Sequence, residues 1–348
     1  MKKSLIALAA LAAVTAASAQ STVTLTGAIQ AGYQTHISAA TTNYVLPGST
    51  STAPTTAALT KGQVKGFTLM DRAITLTVLE DLGGGLAAFG STKMERAGDF
   101  RGAQVAFADT NLGLRSTSVG EFSFRNTRTS DTFAAIVSPA ISLRDGLYDD
   151  NGITSRGAAD IVTYTTPELI KGLKASLSFV ELNDGDINVP ATNSSLQVLG
   201  VSYVNGPLTV NGAYKTQANK AAAASTTQIS KATYELAALY NAGFAVIGLG
   251  YDGASTEGTT ALATTGAVLQ TDKSAMALSV TVPVGQISLG MEHWVRGKST
   301  ETRFGAMYAL SKRSSLTVAY GTKDFPKLNN PTNVKASNQY RLSMLHTF

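Results

Sequence analysis

The chain ends on the stretch YRLSMLHTF at positions 340–348, and this stretch decides the fold. Every second residue in it is apolar or aromatic: Tyr340, Leu342, Met344, His346 and Phe348. The residues between them are Arg341, Ser343, Leu345 and Thr347. Because successive side chains of a β-strand point to opposite faces, the pattern predicts a strand with one apolar face. A final aromatic residue suits the girdle that marks a membrane–water interface.

The same alternation runs through most of the chain. It begins at residues 23–34 and recurs in 68–79, 173–180, 196–204, 208–216, 275–282, 287–295, 303–310 and 316–320. One face of each segment is apolar, and the other carries mainly Thr, Ser, Gln, Lys and Arg. Repeated alternation over about ten residues is typical of strands in a transmembrane barrel.

The connections between these segments alternate in length. Tight connections fall at residues 80–84, 119–121, 205–207, 241–243 and 312–314, and long polar ones at 37–65, 130–159, 183–194, 218–230 and 254–272. In outer-membrane barrels the short turns face the periplasm and the long loops face outward. The sequence therefore predicts an all-β fold, an antiparallel transmembrane barrel of about sixteen strands, wide enough to hold water.

The first residues predict export. Lys2 and Lys3 are followed by an apolar run from Leu5 to Val14 and by the small residues of positions 17–19, which is the pattern of a cleaved signal peptide. We expect residues 1–19 to be removed and residues 20–348 to form one barrel. The chain has no cysteine, so we expect its stability to come from the fold itself.

Composition argues against two other classes of protein. The net charge of +5 is small and scattered, which does not favour nucleic-acid binding. The most apolar stretch, residues 236–251, is interrupted by Asn241 and Gly243 and is interpreted as two strands around a turn. Transmembrane helices are therefore not expected.

Candidate pore residues follow from the alternation. If Leu112, Leu114, Phe122 and Phe124 face outward, then Arg115 and Arg125 face the lumen on paired strands and form a basic wall. The long segment 130–159 carries the acids Asp145, Asp149 and Asp150, which would face this wall if the segment folds inward. The alternative is that residues 149–152, Asp-Asp-Asn-Gly, are simply a turn.

Two residues need special explanations. Arg72 shares the parity of Ile74 and Leu76, the apolar face, where a charge in mid-membrane costs about 2–4 kcal/mol. It is expected at a rim, at a subunit interface, or beside a bulge that changes its register. His293 and Trp294 are interpreted as part of an interface girdle.

Several short motifs resemble those of the Gram-negative general porins of betaproteobacterial type. They are EDLGGGL at 80–86, DDNGI at 149–153, YTTP at 164–167, YALSKR at 308–313 and LHTF at 345–348. The resemblance implies a trimeric barrel of sixteen strands in the outer membrane, with the third loop folded inward as a constriction. Family members carry a constriction arginine close after the Asp-Asn-Gly-Ile stretch, which makes Arg156 a candidate constriction residue. In this chain Thr154 directly follows Ile153, and the arginine comes two residues later.

The leading hypothesis is a general diffusion porin for small hydrophilic solutes and ions, with a mild preference for anions. Its expected partners are two further copies of the chain, outer-membrane lipids and lipopolysaccharide, without nucleic acid. No metal, cofactor or catalytic set is expected, because the three histidines are far apart and no Ser-His-acid arrangement stands out. The alternatives are a substrate-selective channel, an outer-membrane enzyme or adhesin, and a secreted β-sandwich.

Overall fold

The computed structural model describes most of the regular parts of the chain. The described residues are 21–38, 62–96, 105–128, 136–141, 158–182, 194–219, 232–254, 260–261, 268–269, 274–296, 299–324 and 337–348. The predicted signal peptide lies outside the described residues. So do four of the candidate pore residues: Asp145, Asp149, Asp150 and Arg156.

The described residues are almost entirely β-strand. The strands are β1 (Ser21–Ser38), β2 (Gly62–Gly83), β3 (Leu86–Arg96), β4 (Val105–Ser116), β5 (Gly120–Arg128), β6 (Ala158–Thr165), β7 (Leu173–Leu182), β8 (Ser194–Asn205), β9 (Leu208–Asn219), β10 (Ala232–Asn241), β11 (Val246–Ala254), β12 (Thr260–Ala261), β13 (Val268–Leu269), β14 (Ala275–Val284), β15 (Ile287–Arg296), β16 (Ser299–Ala309), β17 (Ser314–Asp324) and β18 (Ser337–Thr347). Within the described part of the chain, the short strands β12 and β13 pair with each other and not with the barrel. The other sixteen form one closed antiparallel barrel, which confirms the predicted fold class.

The barrel closes where the two ends of the chain meet. Strand β18 pairs with β1, with His346 opposite Ile29 and Leu342 opposite Tyr33. Phe348 extends this ladder, since its backbone N–H and C=O each form a 3.0 Å hydrogen bond with Gly27. An open edge would leave a row of backbone amides unpaired in lipid, so closure is what allows such a sheet to span a membrane.

Short turns gather at one end of the barrel. Gly84 and Gly85 connect β2 to β3, Gly206 and Pro207 connect β8 to β9, and Gly285 and Gln286 connect β14 to β15. Gly83, Gly84 and Gly85 have φ values of 83°, 62° and 77°, a left-handed region that only glycine adopts easily. The GGG run therefore serves a tight turn, and the stretch 236–251 is divided by a turn as predicted.

The predicted alternation fixes which side chains face out. Leu112, Leu114, Phe122 and Phe124 are exposed on the outer wall, as are Tyr340 and Leu342 of β18. Between them Ser123 is 3% exposed and Arg341 is 2% exposed, because they face the interior. The outer wall is thus an apolar belt and the inner wall is largely polar, as predicted for strands that separate lipid from water.

The bulge considered for Arg72 exists but does not turn it inward. Gln30 pairs with Asp71 and Ala31 pairs with Leu69, so Met70 is the extra residue. Arg72 still lies opposite Ile29, which is exposed on the outer wall. The bulge instead changes the register on its other side, so that Leu69 also faces outward.

The interpretation of Trp294 as a girdle residue is wrong. It is 1% exposed and packs in a buried cluster with Ile136, Ala237, Ala275 and Ala277. Its neighbour His293 lies opposite Leu278, on the outward face. The two residues are adjacent in sequence and therefore point to opposite sides of the wall.

Candidate functional site: the barrel lumen

A short chain segment lies inside the barrel, far from the strand that precedes it. Residues 136–141 follow β5, yet Ile136, Ser138 and Ile141 are buried against strands on the other side. In the ring of sixteen strands β5 and β15 are eight places apart in either direction, so they are diametrically opposite. Residues 136–141 therefore lie against the wall that faces β5 across the lumen. We call residues 136–141 the inner segment.

Hydrogen bonds hold the inner segment to the wall at β14 and β15. The backbone N–H of Ser138 donates to Oε1 of Glu292 on β15 at 2.6 Å. The hydroxyl oxygens of Ser138 and Thr281 on β14 lie 2.5 Å apart. A charged acceptor makes the first bond one of the stronger kind, worth about 1.5–3 kcal/mol.

Three glycines of the wall make room for the inner segment. A Cβ added at Gly305 would lie 2.3 Å from the carbonyl oxygen of Ala140, and one at Gly290 would lie 2.5 Å from the Ser138 hydroxyl. A Cβ at Gly248 would come within 2.8 Å of the Ile136 Cβ. The segment thus rests directly on backbone, and any side chain at these positions would push it toward the pore.

Four wall residues beneath the inner segment form what we call the buried quartet: Glu292, Trp294, Glu301 and Arg303. None is more than 2% exposed. Arg303 donates from Nε to Glu301 at 2.6 Å, and its Nη1 lies 3.6 Å from Glu292. The Arg303 guanidinium also lies over the Trp294 ring, 5.8 Å from its centroid. The quartet holds the Glu292 carboxylate in place to receive the Ser138 N–H.

Arg125 faces the lumen from the opposite wall, as the alternation predicts. It is half-buried on β5, and its Nη2 donates to the Thr163 hydroxyl at 2.8 Å. Thr163 in turn lies 2.8 Å from the Ser178 hydroxyl. The neutral Thr163 hydroxyl on β6 therefore holds the guanidinium, on the side of the barrel opposite the inner segment.

Arg115 also has lumen parity but lies at a different level. It is exposed, one residue before the end of β4, and its guanidinium lies 6.0 Å from the centroid of the Phe89 ring. The residue opposite Arg125 is Asn111, four positions from Arg115, which is about 13 Å along a strand. The structure does not bring the two arginines together.

Sequence reasoning missed the inner segment's attachment and the buried quartet. Alternation alone places Glu292 and Trp294 on the lumen face. Once the pairing of β15 with β16 is known, Arg303 is expected directly opposite Glu292. The sequence therefore contained a signal for the wall residues of the buried quartet. No local pattern links Ser138 to Glu292, which are 154 positions apart in the sequence.

These features define a class of protein: a transmembrane β-barrel channel whose polar lumen is narrowed by an inward segment. The model of the family described as Gram-negative porin matches residues 7–328, so the chain belongs to the Gram-negative porin family. Members of this family and fold act as outer-membrane channels for passive diffusion, and both point to a channel rather than an enzyme.

Solved structures share the fold at low sequence identity. An anion-selective porin from Comamonas acidovorans is 16% identical with a TM-score of 0.63, covering 94% of this chain and 100% of that one. The Vibrio cholerae outer membrane protein OmpT with its loop L8 deleted is 15% identical with a TM-score of 0.61, covering 94% and 99%. A mutant of the Rh. blastica porin is 13% identical with a TM-score of 0.58, covering 94% and 100%. Among curated proteins, no sequence matches the chain.

Proposed function

We propose that this porin prefers anions mildly and that Arg125 is the main source of this preference among the described residues. The observation that carries the proposal is the environment of Arg125. Its described hydrogen bond goes to a neutral hydroxyl, whereas Lys93, Lys215 and Arg303 on the lumen face are each paired with glutamate. Arg341 also donates to a neutral group, Gln34, but it is only 2% exposed and so has little contact with the water of the lumen. A cation without a counter-charge contributes most to the field that selects ions.

The constriction itself is proposed to include residues outside the described part of the chain. Arg156 would join Arg125 on the basic side, with Asp145, Asp149 and Asp150 on the third loop opposite. In this proposed arrangement the inner segment is part of a longer loop that narrows the pore. Arg115 is proposed to line the mouth at the turn end, where the lumen is wider and one charge acts more weakly. Small hydrophilic solutes would pass between the loop and the wall that carries Arg125.

Replacement of Arg125 tests this assignment. We expect Arg125→Gln to lower the chloride-to-potassium permeability ratio roughly twofold. One charge about 8 Å away in water contributes about 0.5 kcal/mol, of opposite sign for the two ions, and salt at about 0.1 M screens away about half of this. The measurement is the reversal potential in a planar bilayer under a KCl gradient. Arg115→Gln serves as the matched control and should shift the potential less. An equal or larger shift for Arg115→Gln would move the selective region to the mouth.

We further propose that the chain is a homotrimer in the outer membrane, with its short turns in the periplasm. Family resemblance supports the trimer, and so do polar pairs of outward parity on one side of the barrel. Thr92 and Thr110 lie 3.0 Å apart, and Asn126 donates to Asp160 at 2.5 Å. Lipid cannot satisfy the remaining hydrogen-bonding capacity of such groups, whereas a neighbouring barrel can.

The trimer predicts a protected surface around Thr110. Because the chain has no cysteine, Thr110→Cys gives a single labelling site, and Leu249→Cys on another wall gives a matched control. We expect detergent-extracted protein to have three times the protomer mass, with Thr110→Cys reacting severalfold more slowly with a maleimide than Leu249→Cys. A monomer mass would contradict the trimer. Equal labelling of a trimer would place the interface on another face.

A further inference from the structure

The turn between β16 and β17 carries two exposed cations, Lys312 and Arg313. Seven short turns lie at this end of the barrel, and all seven are within the described part of the chain. Between its strands, the β6–β7 turn has one lysine and one glutamate, and the other five turns have no charged residue. Residues 310–313 therefore form the one short turn with an excess of charge, and we call them the basic turn.

Hydrogen bonds fix the backbone of the basic turn. Leu310 and Ser311 each donate their N–H to the carbonyl oxygen of Ser314, at 2.9 and 3.1 Å. The N–H of Arg313 donates to the Ser311 hydroxyl at 3.1 Å. The carbonyl oxygen of Arg313 accepts from the N–H of Thr347 on β18 at 2.8 Å. The two cations thus extend from a backbone that is already ordered, so that binding would restrict only their side chains.

The outer wall beside the basic turn changes from polar to apolar with distance from it. In the first row, the Ser314 hydroxyl lies 2.9 Å from Nδ1 of the exposed His346. The next two rows are apolar or aromatic: Leu316, Met344 and Tyr308, then Val318, Leu342 and Ala306. None of these residues has an acidic side chain, and the carboxylate of Phe348 lies at the adjoining end of β18. Cations, polar groups and apolar surface follow in the order of the phosphate, the ester groups and the acyl chains of a phospholipid.

We propose that the basic turn binds the phosphate of an anionic phospholipid, whose acyl chains lie against the apolar rows of β16 to β18. The guanidinium of Arg313 suits bidentate binding of a phosphate, and Lys312 adds a second positive charge. Clusters of lysine and arginine at a membrane surface attract anionic lipids.

The proposal rests on the orientation proposed above. Short turns in the periplasm place residues 310–313 at the inner leaflet of the outer membrane, which contains phospholipid. The site also lies apart from the proposed subunit interface, because β17 is four places in the ring from β3, the nearest strand with an outward polar pair. A lipid at the basic turn and a neighbouring barrel at the polar pairs therefore do not compete for one surface.

Native mass spectrometry of the full-length folded protein in detergent tests the site. The protein is mixed with equal amounts of phosphatidylglycerol and phosphatidylcholine that have the same acyl chains. We expect phosphatidylglycerol to be retained severalfold more than phosphatidylcholine. Soluble glycerol 3-phosphate at the same concentration should not displace it, because that molecule has no acyl chain. Displacement would indicate a site for free phosphate groups and would overturn the assignment to a lipid.

Two double variants locate the preference. Lys312→Gln/Arg313→Gln should reduce the preference for phosphatidylglycerol severalfold. Lys171→Gln/Lys174→Gln removes the same charge at the same end of the barrel and should keep the preference, since Lys171 shares its turn with Glu168 and Lys174 has lumen parity. Arg313→Gln alone replaces the first variant if that variant does not form a folded barrel.

Equal retention of the two lipids by the unmodified protein, or equal losses in the two double variants, would overturn the proposal. Binding in detergent does not depend on the orientation of the barrel, and the same spectra count the protomers. The single-channel conductance of the variant at the basic turn should be unchanged, because the turn lies outside the lumen. A failure of the lipid site is therefore distinguishable from a failure of the porin or trimer proposals.

Discussion

Replacing Arg303 with methionine is expected to lower the free energy of unfolding by about 3–5 kcal/mol. The change keeps the length of the side chain but leaves Glu292 and Glu301 as two buried carboxylates without their shared cation. The Glu292 carboxylate then loses its fixed position and holds the Ser138 N–H less well. Urea unfolding of the reconstituted protein measures the loss. Trp294 is the only tryptophan in the chain and provides the fluorescence signal.

Lys93→Met is the matched control for this experiment. Lys93 also forms an ion pair, with Glu95 at 2.6 Å, but the two side chains are 29% and 38% exposed. Water screens such a pair, so its loss should cost no more than about 1 kcal/mol. If Arg303→Met cost as little as Lys93→Met, the buried quartet would not be what stabilises the wall under the inner segment.

Replacing Gly32 with valine is expected to weaken the seam that closes the barrel. A Cβ at this position would lie 2.1 Å from the carbonyl oxygen of Leu342 and 2.7 Å from the Cα of Ser343, both backbone atoms of β18. Backbone cannot rotate away as a side chain can, so the two strands must separate. We expect a loss of about 3 kcal/mol, the upper part of the usual range for overpacking.

Gly66→Val on the neighbouring strand is the control, because a Cβ there meets no atom within 4 Å. Both variants place a residue that favours strands in the same region of the sheet. The measurement is the temperature at which the folded barrel loses its compact electrophoretic mobility. Gly32→Val should lose it at a clearly lower temperature than Gly66→Val. Equal behaviour of the two variants would mean that the seam tolerates the added carbons.

The fold was predictable because its determinants are local. Each strand alternates on its own, so residues such as Leu114 and Phe124 could be placed on the outer wall without knowledge of their partners. Leu69 and Arg72 show how a β-bulge makes the assignment of faces by alternation unreliable. The extra residue Met70 lies within β2 and has no signature in the sequence, and it decides that Leu69 and Arg72 share a face.

The site was predictable only in part, since a pore is defined by what lies across it. The lumen face of Arg125 followed from alternation. Its distance from Arg115 along the strands and its hydroxyl partner Thr163 did not. The seat of the inner segment depends on Gly290 and Gly305 of distant strands, whose lack of a side chain matters only when another backbone reaches them. Trp294 was misassigned because an aromatic residue beside histidine suits a girdle, whereas its parity places it inside.

The central claim is that this barrel contains an open aqueous pore. Single-channel recording in a planar bilayer tests it most directly, with protein first shown to be a folded barrel. We expect stable, uniform conductance steps that grow in proportion to the KCl concentration, because ions cross through water in the lumen. Folded protein that inserts but gives no conductance steps would contradict the account. It would indicate a barrel whose lumen is closed completely by the inner segment and the residues next to it in sequence.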